Sequence, residues 1–331
     1  GALAAAFANH GQPNRVCAGD GSGSFSCADV SSDAGSTRGI AIAPAARNLD
    51  AVFSTYDDAF VQPNRVCVGD GAGGLGGCAD VSGHSIRSRS VATGDLNGDG
   101  ALDLVFADYN QKNLACVADG SGGFTCDYVS LINRSGYDVA LGDLDGDGDL
   151  DAVFANAGQE NWVCDGDGAG GFNGCTDVSE HTLESIAVAL GDLDHDGALD
   201  AVFGSYGQRN RMCLGDGSGG FVSCASVAVA ENDTRGVALG DVDGDGTLDA
   251  VFANTGGTNQ VCFGNGAGNF IGCHTVSSDT NHSIAVALGD LDGDGDLDAV
   301  FANTSAWNRV CAGDGSGGFT ACAAVSTGAN Y

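Results

Sequence analysis

The chain has 331 residues, with 44 acidic side chains against 12 basic ones and a formal charge of −32. That charge excludes binding to nucleic acid or to an anionic membrane through the bare surface. Gly supplies 56 residues, against three Pro, one Met and a single lysine, Lys112, a composition of tight turns and short strands rather than of helices. No apolar run reaches the roughly 18 residues that a spanning helix needs. The opening Gly-Ala-Leu-Ala-Ala-Ala-Phe is too short and uncharged for a signal peptide, so the chain reads as a mature form or a fragment.

In chain order, the first predicted element is an apolar strand at Leu3–Phe7. It returns at Leu49–Phe53, Leu102–Phe106, Leu150–Phe154, Leu199–Phe203, Leu248–Phe252 and Leu297–Phe301. From the second copy onward a further strand precedes it, as in Ser283–Asp290, whose small and large apolar residues read as a strand buried on both faces. Between these two strands lies an acidic loop, Asp-x-[Asp/Asn]-x-Asp-Gly-x-Leu-Asp, in five of the units. After the apolar strand come a polar connector, a third strand carrying a Cys, an Asp-Gly turn, and a fourth strand carrying another Cys.

Four antiparallel strands in a repeat of about 49 residues describe a propeller blade. The expected fold is therefore all-β: a seven-bladed β-propeller of four-stranded antiparallel blades, with residues 1–331 as one domain. The first blade lacks its inner strand unless the tail Ser326–Tyr331 or residues outside this sequence supply it, and an open position there could take a strand from another chain.

The 14 Cys fall two per repeat, at Cys17/Cys27, Cys67/Cys78, Cys116/Cys126, Cys164/Cys175, Cys213/Cys224, Cys262/Cys273 and Cys311/Cys322. Each pair flanks a hairpin turn, so one local disulfide per blade is expected. Closing a loop of this size stabilises the fold by about 2–3 kcal/mol. Oxidised pairs at this density point to a secreted or cell-surface protein. The alternative, Zn²⁺ held by Cys, lacks C-x-x-C knuckles and spaced His partners.

The five acidic loops have the chemistry of a Ca²⁺ site, since alternate carboxylates in a tight turn direct hard oxygens at one centre. The expected side-chain ligands are Asp95, Asn97, Asp99 and Asp103; Asp143, Asp145, Asp147 and Asp151; Asp192, Asp194, Asp196 and Asp200; Asp241, Asp243, Asp245 and Asp249; and Asp290, Asp292, Asp294 and Asp298. Asn97 brings an amide where the other loops bring a carboxylate, so its site should be the weakest. Five bound ions would remove roughly ten units of negative charge. In the first two repeats Ala4, Ile42, Pro44 and Ala46 replace the acids, and no metal is expected there.

The run from Gly289 through Asp290 and Asp298 to Asn303, continuing from Cys311 to Phe319, resembles the FG-GAP/VCBS repeats of integrin α-subunit propellers, and the resemblance covers essentially the whole chain. It implies a seven-bladed propeller with calcium between the first two strands of a blade, and roles in extracellular adhesion or glycan binding. The paired Cys of every blade depart from that pattern.

Little else suggests chemistry. The six His sit singly in loops, and a lyase or hydrolase would need a cluster of His, Tyr or cationic groups that one Lys and scattered His do not supply. The Asp-Gly turns, among them Asp119, Asp167, Asp216 and Asp314, read as hairpin turns rather than as a second metal series. Tyr56, Tyr109, Trp162, Tyr206 and Trp307 lie in the connectors between second and third strands, where a lectin would present rings to sugars. The Asn before each third strand (Asn14, Asn64, Asn113, Asn161, Asn210, Asn259, Asn308) fixes a turn. Asn133, Asn232, Asn281 and Asn303 begin sequons for glycosylation. The expected function is a non-catalytic extracellular calcium-binding scaffold or adhesion module that pairs with other extracellular proteins or with itself. A glycan-binding lectin is the alternative.

Overall fold

A computed structural model describes residues 4–7, 14–19, 25–29, 37–44, 49–55, 63–69, 75–81, 87–178, 183–227, 232–278, 280, 282–304 and 306–325. The described residues form 27 strands and no helix. The first sheet has three strands, β1 (Ala4–Phe7), β2 (Arg15–Gly19) and β3 (Phe25–Asp29). Six sets of four antiparallel strands follow. They are β4 (Thr37–Pro44), β5 (Leu49–Thr55), β6 (Arg65–Gly69) and β7 (Leu75–Asp80); β8 (Ser88–Gly94), β9 (Asp103–Gln111), β10 (Leu114–Ala118) and β11 (Phe124–Tyr128); and β12 (Arg134–Gly142), β13 (Asp151–Gln159), β14 (Trp162–Gly166) and β15 (Phe172–Asp177). The last three are β16 (Leu183–Gly191), β17 (Asp200–Ser205), β18 (Arg211–Gly215) and β19 (Phe221–Ser226); β20 (Thr234–Gly240), β21 (Asp249–Asn254), β22 (Gln260–Gly264) and β23 (Phe270–Thr275); and β24 (His282–Gly289), β25 (Asp298–Thr304), β26 (Arg309–Gly313) and β27 (Phe319–Ala324). Among the described residues this is the expected propeller architecture, with one three-stranded blade and six of four strands. The chain divides into two compact units, one holding most of Ala4–Thr182 and the other Leu183–Tyr331 with two short N-terminal pieces.

Within a blade the strands pair in chain order. In the last, Val286 lies opposite Phe301, Val300 opposite Val310, and Cys311 opposite Cys322. The second strand, not the first, is the one buried on both faces: β17 and β21 are buried throughout, whereas β24 is half-exposed. The reason lies in which side chains meet. Val105 and Ala107 of β9 pack against Ala152 and Phe154 of β13, while Leu104 and Phe106 on the other face of β9 pack towards Val52 of β5. In the other unit, Val251 and Ala253 of β21 meet Ala299 and Phe301 of β25. Each Phe thus fills the space left by the smaller residues of the preceding blade, a burial that stabilises by about 1.5–3 kcal/mol per ring. The continuous apolar run Ala-Val-Phe is the signature of that two-sided burial.

Close approach of neighbouring blades also explains the Gly before three of the acidic loops, Gly94, Gly191 and Gly240. A Cβ on Gly240 would lie 2.8 Å from the Leu297 side chain of the next blade. Six disulfides join third and fourth strands: Cys67–Cys78, Cys116–Cys126, Cys164–Cys175, Cys213–Cys224, Cys262–Cys273 and Cys311–Cys322. The side chains of Cys17 and Cys27 lie outside the described residues. The two Cys of each pair stand opposite each other in the antiparallel register, which places their sulfurs within bonding reach. Such bonds persist in an oxidising environment. No helix among the described residues is long and apolar enough to cross a membrane.

Candidate metal centres and the connector face

Each acidic loop joins the first strand of a blade to the second, and its conformation follows from self-capping by carboxylates. In the last loop, Asp290 Oδ1 accepts from Gly293 N at 2.7 Å and Oδ2 from Gly295 N at 3.2 Å. Asp292 and Asp294 accept from the backbone N–H two residues on. Gly293 and Gly295 have φ of 84° and 98°, a region open to Gly at no steric cost. In the third of the five loops the position of Gly293 is taken by His195, with φ 61°, one of two non-Gly residues described with positive φ.

The closing Asp has two roles. Asp298 sends Oδ2 to Leu291 N at 2.8 Å and Oδ1 to Gly313 N at 2.9 Å, so a buried carboxylate staples the loop to the third strand. Asp103, Asp151, Asp200 and Asp249 repeat this with Leu96 and Ala118, Leu144 and Gly166, Leu193 and Gly215, and Val242 and Gly264. The turn between third and fourth strands lies at the same end of the blade. There Asp119, Asp167, Asp216 and Asp314 accept from two N–H groups of the turn. The Ser316 hydroxyl at Asp314, and the backbone N–H of Ser121 and Ser218 with their hydroxyls at Asp119 and Asp216, hold these three below the usual carboxylate range. These are hairpin caps, as the sequence suggests. They also dock on the preceding blade, with Gly170 N donating to Leu96 O, Gly268 N to Leu193 O and Gly317 N to Val242 O.

In four loops three carboxylates converge with candidate ligand atoms within 4.8 Å of one another: Asp143, Asp145 and Asp151; Asp192, Asp194 and Asp200; Asp241, Asp243 and Asp249; and Asp290, Asp292 and Asp294. The closing Asp completes the first three clusters; in the last, Asp294 does so instead of Asp298. Asp147, Asp196 and Asp245 stand beside their clusters rather than in them. The fifth loop has Asp95, Asp99 and Asp103 around the Asn97 amide, whose Nδ2 donates to Asp99 Oδ2 at 3.1 Å.

The donor set fits a hard divalent cation. Asp192 Oδ1 is buried and has no hydrogen-bond partner, an arrangement that costs free energy unless a cation meets the oxygen. Desolvation pushes Asp103, Asp151 and Asp200 above the usual carboxylate range and Asp249 to about 6, with the neighbouring Asp charges adding to the rise. Pro44 pairs with Leu49 in the second blade, and residues 45–48, including Ala46, lie outside the described region.

The opposite end of each blade is held by neutral groups. Asn64 Oδ1 accepts from Thr55 N, its carbonyl from Val81 N, and its Nδ2 donates to Ser88 Oγ of the next blade, which in turn donates to Asp108. Asn259, Ser283 and Asn303 form the same relay. The recurring Asn therefore fixes its connector and also ties two blades together. The sequence repeats the Ser/Thr partner at Thr37, Ser88, Ser185, Thr234 and Ser283, a signal that composition and turn reasoning passes over.

Three described positions break the relay: Gly136, Asp108 and Ser205, whose buried Oγ has no partner. Gly136 replaces the hydroxyl, and it leaves Asn113 Nδ2 and Asn156 Oδ1 buried without partners. Asp108 replaces the Asn, Ser or Thr found in other blades; fully buried, with Oδ2 unpartnered, it is pushed up to about 8 by desolvation.

The connector aromatics do not form one exposed set. Trp162 is 3% exposed, with Nε1 donating to Asp177 and its ring under Arg134. Tyr109 is half-buried edge-on to Tyr137, with the Arg89 guanidinium over both rings. Tyr206 and Trp307 are 43% and 37% exposed. Trp307 lines a shallow cavity of about 220 Å³ with Ala306, Arg309 and Ala324. Tyr56 lies outside the described residues. Among the sequons Asn133 is exposed, Asn232 is half-buried, and Asn303 is buried in the relay, out of reach of a glycan; Asn281 lies outside the described residues.

Comparison with known proteins agrees with this architecture. The sequence model for the FG-GAP-like repeat matches residues 95–154, 143–203, 192–252 and 241–301. A search of curated proteins returned no match. Among solved structures, the BP39L lectin from Burkholderia pseudomallei superposes with a TM-score of 0.73 at 16% identity, covering 98% of this chain and 99% of the lectin. The WD40 β-propeller domain of Doa1 superposes with a TM-score of 0.59 at 11% identity over 90% of this chain and 85% of its own. Chaetomium thermophilum Sqt1, bound to the N-terminus of ribosomal protein L10, gives 0.56 at 14% identity over 89% and 76%. At these identities the likeness is one of fold.

Proposed function

The chain belongs to the FG-GAP-like repeat family, and from that premise we propose that it is a non-catalytic, calcium-loaded binding module of the extracellular space, a rigid propeller that presents its loops for adhesion or assembly. The observation that carries this reading is the convergence of three carboxylates in each of four loops, together with the buried, unpartnered oxygen of Asp192. A hard cation held there supplies positive charge to oxygens that otherwise repel one another, and it locks the loop that already joins three strands and the next blade. Asp143, Asp145 and Asp151, and their counterparts, would hold it. The disulfides of six blades support a secreted location. Light scattering on the oxidised chain tests assembly: growth of large particles that a chelator reverses supports it, and a monomer in both conditions removes it.

A second reading, lectin activity, is favoured by the Trp307 cavity, where an indole face stands beside the Arg309 side chain. At about 220 Å³ it is smaller than the ~300–1,000 Å³ of common ligand clefts. Saturable binding on a glycan array that Trp307→Ala abolishes would establish this reading, and an empty array would remove it.

A further inference from the structure

The five acidic loops differ at one ligand position, where four carry Asp145, Asp194, Asp243 and Asp292 and the other carries Asn97. Asn97 is followed by Gly98, one of three Asn-Gly steps in the chain with Asn173-Gly174 and Asn265-Gly266. Asn-Gly is the step most prone to cyclise, because no side chain shields the following amide nitrogen. The local structure opens it further. Gly146 N, Gly244 N and Gly293 N each donate to the first Asp of their loops at 2.7–2.8 Å. Gly98 N makes no such bond; Asp95 Oδ1 accepts from Asp99 N instead. Gly98 is exposed, with φ 71°, and no atom lies within 4 Å of the place a Cβ would take. The Asn97 side chain is held across the loop by Asp99, its Oδ1 accepting from Asp99 N at 3.0 Å and its Nδ2 donating to Asp99 Oδ2.

We propose that Asn97-Gly98 is a self-modifying step, in which spontaneous deamidation converts the amide-bearing loop into a carboxylate loop like the other four. The Gly98 amide nitrogen attacks Asn97 Cγ and forms a C–N bond. The bond from Cγ to Nδ2 breaks, and ammonia leaves with the proton from Gly98. Water then cleaves the new Cγ–N bond, which restores the Gly98 N–H and leaves a carboxylate at position 97. The net reaction consumes one water and releases one ammonia, with no change of oxidation state. Opening on the other side of the ring gives isoaspartate, which lengthens the backbone and spoils the site. Asn173 provides an internal reference: it lies within β15, where the following Gly174 is paired with Asp165 of β14 and the Asn173 Nδ2 is bonded to Asp165 Oδ2 and Gly166 O, whereas both side-chain bonds of Asn97 stay within its own loop.

The consequence for calcium rests on the metal reading above; the chemical step does not. The full oxidised chain is held at mildly alkaline pH with and without Ca²⁺, then digested and mapped by mass spectrometry with fragmentation that separates aspartate from isoaspartate. Calcium titrations compare the fresh chain with Asn97→Asp and Asn97→Gln. Conversion at Asn97 should run ahead of Asn173, slow when calcium is present, and yield aspartate. Asn97→Asp should gain affinity at one site by on the order of tenfold, and Asn97→Gln should stay intact. Conversion no faster than at Asn173, product that is only isoaspartate, or an Asn97→Asp titration identical to that of the fresh chain would overturn the proposal. Conversion at Asn97 in a chain that binds calcium in no loop overturns the metal reading instead.

Discussion

The two ends of each blade solve the same problem with opposite chemistry. At the acidic end, carboxylates cap the loop and staple it to the third strand, and a loop carbonyl such as Val242 O accepts from the turn of the next blade. At the connector end, Asn, Ser and Thr perform the same joining through neutral hydrogen bonds, as in Asn259–Ser283–Asn303. Where its Ser or Thr is in place, as at Ser283, the neutral relay closes on protein groups alone, whereas the acidic end gathers like charges that repel one another unless a cation neutralises them. On the proposed metal loading, the stability of one end should depend on the medium and that of the other should not.

The largest effect should come from removing the metal. Chelation should lower the thermal midpoint strongly, since an ion present at about 100 times its dissociation constant contributes about 2.7 kcal/mol per site. Hydrogen exchange should show the loss in residues 95–103 and its counterparts, with Asn64 and Asn259 and their neighbours still protected. Uniform loss at both ends would break the contrast. Next comes Asp249→Ala, which strands the N–H groups of Val242 and Gly264 and should cost about 2–4 kcal/mol by denaturant unfolding, more in calcium than in chelator. Asn259→Ala should cost about 1–3 kcal/mol, equally in both media.

How much of this was legible in the sequence follows the same division. Loop carboxylates at fixed spacing, Cys in opposed registers and the Ala-Val-Phe strand each carry a local signature, so the blades and acidic loops could be read directly. The relay could not, because its members lie in three segments: Asn64, Ser88 and Asp108 are 24 and 20 residues apart and meet only once two blades are packed. Trp162 and Trp307 look alike as connector aromatics. Arg134, with Glu160 and Asp177, encloses the first, while small Ala residues leave the second open.

Smaller effects sharpen the comparison where a blade departs from its own rule. Asp108 puts an acid into the neutral end. Its folded pKa, about 8, lies above its ordinary value of 3.8, so the stability it contributes is full below about pH 4 and is lost as pH rises towards 8. Asp108→Asn, the residue of four other repeats, should flatten that decline in unfolding midpoints measured from pH 5 to 9. The smallest change expected is His195→Gly, which relieves a positive φ and should stabilise by about 1 kcal/mol in a thermal melt.

Calorimetric titration of the chelated, oxidised chain with Ca²⁺, read alongside its thermal midpoint, tests the central claim most directly. The account predicts binding at five loops, four of them tight and the Asn97 loop weaker in fresh protein, with the midpoint rising as the sites fill. A chain that takes up no calcium, or binds it with no change in midpoint, would contradict the account.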